Sequence, residues 1–474
     1  MPERNEKIAL VTFAFAVLAS LLILYAFSGP SWDLIAHYLN AKTLLGQYSG
    51  GRAYFELYRA PLGSAIMAIV GLAFSEPILP YLILLLAFSL YAIYRFAQST
   101  GSDPLLSMAF VMCFYAVSFF FIPNSTEMLS LAMVIMAVSL LVQKNELSGL
   151  FLGLAAISKY PAMIFLPMVL LLYLEKPKQR WAKLAKGIAL ELLPIIPWLL
   201  LNYALSGNPI ASYTLAMGGV LLNNTQSLPD FSAMVNILFY PALYALGIAL
   251  AYAFSKTKSR IVKKLRLNDV TIVLYSFLLL AIAEYAVMGG RYDTFTQIRY
   301  GSYLFGALAL LAAHLATIAI NPKHRYVIVR LAAAALAVML LFNSWKYTID
   351  NSGYFALYNP LVSNSVFYQA KVTSNTLLQG CGTVSNAWIY MLYENQTSYA
   401  PFESNDGKMG SEIISAFYGR TDTAYLLEQN ALFNASELPA LYFKGIGIPT
   451  NVSGEPVYNS TYFAIYSLNS ISCR

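Results

Sequence analysis

Charged residues are scarce in this sequence. Asp, Glu, Lys and Arg make up 11% of its 474 residues, whereas hydrophobic residues make up 58%. Soluble domains contain about 25% charged and about 45–50% apolar residues. A soluble core could not take up the apolar surplus, so many of these side chains must face lipid. The composition excludes a soluble enzyme, a nucleic-acid-binding protein and a disordered chain, and it indicates a multi-pass membrane protein.

Cysteine and histidine are also rare, with three residues of each. This number excludes a disulfide scaffold and a thiolate metal site, and the histidines form no constellation typical of zinc. Cys381 and Cys473 are the two cysteines near the C-terminal end. A disulfide between them would stabilise the tail by roughly 4 kcal/mol, and two free thiols are equally consistent with the sequence.

The apolar runs have the length of membrane helices, since about 20 residues cross a bilayer core of about 30 Å. The first run, Ile8–Phe27, follows Arg4 and Lys7 and is expected to be retained as a span. The runs up to residue 345 predict a mostly α-helical protein with about 11 to 13 spanning helices. The short run 61–74 is predicted not to cross, because an odd number of crossings must separate the first outer loop from the basic loop at 175–187.

Charge distribution predicts the orientation. Residues 1–345 contain 24 Lys/Arg and 14 Asp/Glu, and residues 346–474 contain 6 and 9. Basic clusters lie at 176–186, 256–266 and 323–325, and cytoplasmic loops concentrate such residues. The tail is then extracytoplasmic, and four glycosylation sequons in it agree: Asn395, Asn434, Asn451 and Asn459.

Residues 346–474 are predicted to form a small extracytoplasmic α/β domain, separate from the membrane module at 1–345. Strands are expected at Gly382–Ser385 and Tyr462–Tyr466, because apolar and polar residues alternate there. Short helices are expected at Glu412–Phe417 and Asp422–Gln429.

The first outer loop, at about 29–60, carries an unusual number of polar residues. Asp33 and His37 are four residues apart, so they share a face of an interfacial helix. Asp33 is placed to act as a general base toward an acceptor at the headgroup level, or it caps the helix. The residues alone favour neither the base nor the cap over the other. His37 is expected to be a hydrogen-bonding loop residue rather than a metal ligand.

The order of motifs along residues 8–345 resembles the GT-C superfamily of membrane glycosyltransferases, nearest to its protein O-mannosyltransferase and aminoarabinose transferase branch. The motifs are Trp32-Asp33, His37–Lys42, Ala60-Pro61-Leu62-Gly63, Glu127 at the start of a span, Gly149–Tyr160, and Arg299-Tyr300. The resemblance implies transfer of a sugar from a polyprenyl-phosphate carrier to a glycan, lipid or protein acceptor at the outer face of the cell membrane. It maps the essential acid of the family onto Asp33.

The chain departs from the family pattern in two places. A second proline is missing at Ala60-Pro61, and a second acid near Asp33 is missing. A requirement for a divalent metal is therefore left open, and the sequence itself points to no cofactor.

Cations are needed near the outer headgroup plane, because negative charge grows on the phosphate as the sugar departs. Arg59, Lys159 and Arg299 are the predicted donor-phosphate residues, while Arg52 and Arg291 are more typical of headgroup contacts. Glu127 is either an ordinary first-turn acid or an acceptor-binding or supporting residue. Glu284 is an intramembrane acid that needs a partner, and the sequence names none.

A transporter or flippase of a lipid-linked or small solute is the alternative function. Transporters usually contain internal repeats and charged residues near the bilayer midplane. This sequence shows no repeat, and its polar groups collect in one outer loop. The sequence therefore favours a transferase, and a hexose such as mannose is the predicted sugar. Membrane lipids are expected to surround the protein.

Overall fold

The computed structural model describes residues 2–28, 30–49, 55–57, 59–117, 126–214, 216, 269–289 and 301–319, and short stretches of the remainder. These stretches fall between 327 and 342 and at 372–373, 383–385, 388–395, 398–399, 425–428, 458–459 and 464–467.

The described chain is mostly helical, as predicted. Its helices are α1 Pro2–Ser28, α2 Trp32–Leu44, α3 Pro61–Gly71, α4 Ile78–Thr100, α5 Pro104–Val117, α6 Thr126–Val142, α7 Leu147–Ser158, a 3₁₀ helix Tyr160–Leu174, α8 Arg180–Ser206, α9 Asp269–Gly289, α10 Ser302–Ala319 and α11 Trp388–Tyr393.

Within the described residues, four helices are long and apolar enough to cross a membrane: Lys7–Ala26, Ile78–Thr100, Arg180–Ser206 and Asp269–Ala286. Several other apolar runs form helices of 10–17 residues, and further runs lie outside the described residues, so the number of 11 to 13 spans stays a prediction. Helix α3 has 11 residues. At 1.5 Å per residue it is about 16 Å long, too short to cross the bilayer, in line with the expectation for run 61–74.

Contacts divide the chain into two compact units. The first unit contains Met1–Ile23, Arg59–Gly63 and Pro80–Tyr347, and the second contains Leu24–Tyr58, Ser64–Leu79 and Thr348–Arg474. The domain boundary near residue 345 stays a prediction.

A helical hairpin organises the first unit. Helix α7 ends at Ser158, Lys159 adopts an extended conformation (φ −157°, ψ 124°), and the 3₁₀ helix then begins with Pro161 in its first turn. Pro161 has no backbone N–H, so an α-helix cannot continue through it with all of its hydrogen bonds. Lys144, just before α7, donates through Nζ to the carbonyl oxygen of Leu174 at 3.1 Å. The two helices are therefore antiparallel, and Lys159 lies at the tip between them.

Helices α7 and α8 are parallel and pack with almost no space between their backbones. A Cβ atom on Gly149 would lie 1.9 Å from the carbonyl oxygen of Gly187, and one on Gly153 would lie 2.2 Å from that of Glu191. Glycine is required at these positions because any side chain would separate the helices.

Ion pairs mark one end of the first unit, which we call the basic end. Lys144 pairs with Asp269 at 2.6 Å, and Lys186 pairs with Glu146 at 2.5 Å. These pairs join the turn before α7, the start of α8 and the start of α9. The start of α9 and the basic cluster 176–186 therefore lie at the same end of the unit. Which side of the membrane this end faces stays a prediction.

The second unit combines α2 and most of α3 with elements of the tail. Five short strands, β1 Thr383–Ser385, β2 Ser398–Tyr399, β3 Tyr425–Glu428, β4 Tyr458–Asn459 and β5 Ala464–Ser467, form a mixed sheet in the order β2-β1-β3-β5-β4. Strand β1 is parallel to β2 and β3, and β5 is antiparallel to β3 and β4.

The two strands expected from alternation are present as β1 and β5. The helix expected at 422–429 was wrong: Tyr425–Glu428 is a strand paired on both sides. Pairing with two neighbours overrides the weak helical pattern of so short an apolar run. The helix expected at 412–417 lies outside the described residues, and a separate tail domain stays a prediction.

Candidate functional site

Asp33 lies in the first turn of α2, and the helix is capped by another residue. Ser31 is the N-cap, and its Oγ accepts a hydrogen bond from the backbone N–H of Leu34 at 3.3 Å. The half-buried carboxylate of Asp33 lies where the helix dipole stabilises negative charge. The capping alternative for Asp33 thus loses its main support, because Ser31 performs that role.

His37 and Asn40 extend the face of α2 that begins at Asp33. His37 is 4% exposed, and its Nδ1 is hydrogen-bonded to Oγ of Ser64 in α3 at 2.8 Å. Asn40 Oδ1 accepts from the backbone N–H of Glu56 at 2.8 Å, and its Nδ2 donates to the Glu56 carbonyl at 3.3 Å. His37 is a hydrogen-bonding residue, in line with its sequence-based interpretation. Asn40 was missed, although its i, i+4, i+7 spacing from Asp33 and His37 was visible.

The opposite side of α2 meets the tail. Tyr38 packs edge-on against Tyr393 of α11, with ring centroids 5.6 Å apart. Lys42 donates to Oγ of Ser49 at 2.8 Å and lies over the Tyr38 ring. Burial lowers the pKa of Lys42, an effect that the nearby carboxylate of Glu76 opposes. The helix that carries Asp33 is therefore held by loop and tail residues on both of its sides.

Lys159 and Glu127, which the sequence proposed for separate roles, form an ion pair in the first unit. The Glu127 side chain is 4% exposed and the Lys159 side chain 19%. Thr126 Oγ1 also donates to Glu127 Oε2 at 3.2 Å. An ammonium deep in apolar sequence needs a partner or a function, and Glu127 is that partner.

Arg59 lies beside this pair through its main chain. The hydroxyl of Tyr160, the residue next to Lys159, donates to the carbonyl oxygen of Arg59 at 3.4 Å. The side chain of Arg59 is half-buried. Two of the three predicted phosphate-binding cations therefore come from chain segments that meet at Tyr160.

The pair lies well away from the basic end of the first unit. Tyr160 packs edge-on against Tyr213, with ring centroids 6.0 Å apart, and Trp198 Nε1 donates to Oγ of the neighbouring Ser212 at 3.1 Å. Trp198 lies in the C-terminal half of α8, whereas the ion-paired Lys186 of the basic end lies near the start of this helix. Lys159, the residue before Tyr160, therefore lies beside the C-terminal half of α8.

Glu284 of α9 is a further charged group in this region. The residue is 3% exposed, and its helix packs against α6, which carries Glu127, and against the 3₁₀ helix that follows Lys159. Its Oε2 has no hydrogen-bond partner among the residues that the structure describes. Sequence reasoning found this intramembrane acid but could not connect it to Lys159, which is 125 residues away (284 minus 159).

Several predicted residues lie outside the described residues: Arg299, Arg52, Arg291, Cys381 and Cys473. Among the residues that are described, no group of three His, Cys, Asp or Glu side chains could hold a metal ion. A metal requirement is still open.

Comparison with known proteins agrees with the helical architecture. The family described as dolichyl-phosphate-mannose-protein mannosyltransferase matches residues 60–200, a segment that contains Glu127 and Lys159. The fold is similar to that of ArnT from Cupriavidus metallidurans bound to undecaprenyl phosphate, with a TM-score of 0.61, 10% identity and coverage of 97% of this chain and 98% of that chain.

The apo state of the same ArnT gives a TM-score of 0.59 with 11% identity and the same coverage. A search of curated protein sequences finds no match. The family model thus matches a minority of the chain, and the similarity to the two ArnT structures shows a shared fold.

Proposed function

We propose that this protein transfers a sugar, a hexose such as mannose, from a polyprenyl-phosphate carrier to a glycan, lipid or protein acceptor at the outer face of the membrane. The observation that carries the proposal is the buried Lys159–Glu127 pair with the Arg59 main chain beside it. The similar fold of ArnT, solved with undecaprenyl phosphate, supports a polyprenyl-phosphate donor. The mannosyltransferase family at 60–200 supports the hexose.

Arg59, Lys159 and Arg299 hold the carrier phosphate in this proposal. The phosphate must compete with Glu127 for the Lys159 ammonium, because the two side chains form an ion pair. The competition becomes more favourable to the phosphate as the bond to the sugar breaks, since negative charge then grows on the leaving oxygen. Lys159 therefore stabilises the transition state more than the bound donor.

Asp33 is the general base of the proposed reaction. It removes the proton from the acceptor hydroxyl as that oxygen attacks the anomeric carbon of the sugar. The helix dipole at the start of α2 stabilises the ionised carboxylate, and Ser31 provides the N-cap of the helix. His37 and Glu127 are proposed to contact the acceptor or to support the residues that do.

The test is release of polyprenyl phosphate by the purified protein in lipid nanodiscs. Polyprenyl-phosphate mannose, glucose and aminoarabinose are incubated separately, and the freed carrier is quantified by mass spectrometry. Release from the mannose donor is expected. Release from the aminoarabinose donor alone would contradict the hexose assignment, and release from the glucose donor alone would contradict mannose as the sugar. No release from any donor with any acceptor class would contradict the function.

Two lysine variants serve as a matched pair in this assay. Lys159→Met should lower release and donor affinity, because it removes the proposed phosphate ligand. Lys144→Met should keep both, since Lys144 is also ion-paired and yet lies at the basic end of the same unit. Equal behaviour of the two variants would place the phosphate elsewhere.

A further inference from the structure

A second carboxyl group lies on a helix that packs beside the Lys159–Glu127 pair. Glu127 and Lys159 neutralise each other in a direct pair, and α9, which carries Glu284, packs against α6 and against the 3₁₀ helix that follows Lys159. An ionised, unpaired carboxylate at 3% exposure in a membrane helix would be costly. A buried group in that position avoids the cost by carrying a proton. The unpartnered Oε2 of Glu284 is consistent with a neutral acid that awaits a ligand.

The elements that pack against α9 at this end bring a small set of titratable groups. Helix α6 supplies Glu127, the start of the 3₁₀ helix supplies Lys159 and Tyr160, and α10 supplies Tyr303. Tyr160 donates to the Arg59 carbonyl, and Tyr303 donates to Ser130 Oγ at 2.7 Å. The two tyrosine hydroxyl protons are committed to these bonds. Glu284 is therefore the acid in this set that has a proton to give.

We propose that Glu284 is an acid of the transfer reaction and gives its proton to the departing carrier phosphate. This inference rests on the proposed function. The bond between the anomeric carbon and the bridging oxygen breaks, and its electron pair stays on that oxygen. The acceptor oxygen bonds to the carbon and loses its proton to Asp33. The carrier phosphate, which had one negative charge as a diester, would now have two as a monoester.

Glu284 removes this second charge by transferring its proton to a phosphate oxygen. The products at this stage are a singly charged carrier phosphate and the Glu284 carboxylate. Glu284 regains a proton from water and Asp33 returns one to water, so protons balance over the cycle. A singly charged phosphate binds Lys159 less tightly than a doubly charged one. The new Glu284 carboxylate also attracts Lys159 and repels the phosphate, so both effects favour release of the spent carrier.

Glu284→Gln tests the proposal, with Glu191→Gln as the control. Glu191 is another buried membrane carboxyl, 8% exposed, whose Oε2 has no hydrogen-bond partner among the described residues. Turnover is measured from pH 5.5 to pH 9. The second pKa of a phosphate monoester is about 6, so below that pH the carrier takes its proton from water and Glu284→Gln should match the wild type.

Above about pH 7 the two variants should diverge. Glu284→Gln should fall about 10-fold or more below the wild type, with stronger inhibition by added undecaprenyl phosphate, because a positioned acid typically contributes about 10²–10⁴-fold. Glu191→Gln should follow the wild-type profile, and Glu284→Asp should recover part of the loss. A Glu284→Gln profile parallel to the wild type, whatever its height, would show a structural role and overturn the proposal.

The wild-type protein supplies a second measurement that does not depend on a folded variant. Phosphorus NMR of undecaprenyl phosphate bound at pH 7.5 should report a singly protonated phosphate, whereas the free lipid is mostly doubly charged. A doubly charged bound phosphate would overturn the inference while the proposed transfer could stand. Absence of binding and of turnover in the wild type would instead refute the proposed function.

Discussion

Replacing one partner of the Lys159–Glu127 pair should destabilise the protein more than replacing both partners. Glu127→Leu leaves a mostly buried ammonium, and Lys159→Met leaves a carboxylate that is only 4% exposed. Removal of one partner of a buried pair costs about 3–5 kcal/mol. The lower figure is expected here, because the Lys159 side chain is 19% exposed. The double variant should lie within about 1 kcal/mol of the wild type, since it leaves no buried charge unpaired.

The assay is a double-mutant cycle on the free energy of unfolding in mixed micelles. The expected coupling energy is about 3 kcal/mol for Lys159 and Glu127. The pair Lys186–Glu146 is the control, because the Lys186 side chain is 64% exposed and such pairs contribute about 0.2–1 kcal/mol. A coupling energy at Lys159–Glu127 no larger than the control value would refute the assignment of a buried, mutually dependent pair.

Three further predictions concern the rest of the chain. Hydrogen bonding to Lys183 lowers the pKa of Glu175 below its usual 4.5. The ionised Glu175 carboxylate therefore stabilises the folded protein above pH 4.5, and this stabilisation is lost as the pH falls. Glu175→Gln should flatten the decline in Tm below pH 4.5. Gly149→Ala should lower Tm more than Gly187→Ala, because the new Cβ of the first meets a backbone carbonyl and that of the second meets a flexible Leu172 side chain; equal shifts would contradict the close α7–α8 packing. Protease added to right-side-out vesicles should remove the tail at 346–474, and full protection would contradict the predicted orientation.

Much of the helical architecture could be predicted from the sequence, because apolar length is a strong signal in a lipid environment. The short run 61–74 was visible as an anomaly of length. The helix expected at 422–429 failed because pairing between distant strands, which local periodicity does not encode, decides the conformation of a four-residue run.

The candidate site was predicted residue by residue but not contact by contact. Charged residues in apolar sequence, such as Lys159 and Glu284, stand out because burial of charge is costly. Which of them pair depends on helix packing over separations that the sequence does not reveal. The same applies to Asn40, whose amide holds the Glu56 backbone 16 residues away. Asp33 was visible as a possible cap residue, and only the geometry shows that Ser31 is the cap.

The proposed role of Asp33 as the base of a sugar transfer from a lipid phosphate is tested most directly by comparing two variants. The rate of polyprenyl phosphate release is measured for Asp33→Asn and Ser31→Ala, together with donor affinity and Tm. Ser31→Ala should lose about 1 kcal/mol of stability and keep its rate within a few-fold, because it removes only the cap. Asp33→Asn should stay folded and bind donor, yet release carrier about 10²–10⁴-fold more slowly, because the amide cannot accept the proton. Release by Asp33→Asn within a few-fold of the wild-type rate would contradict the claim.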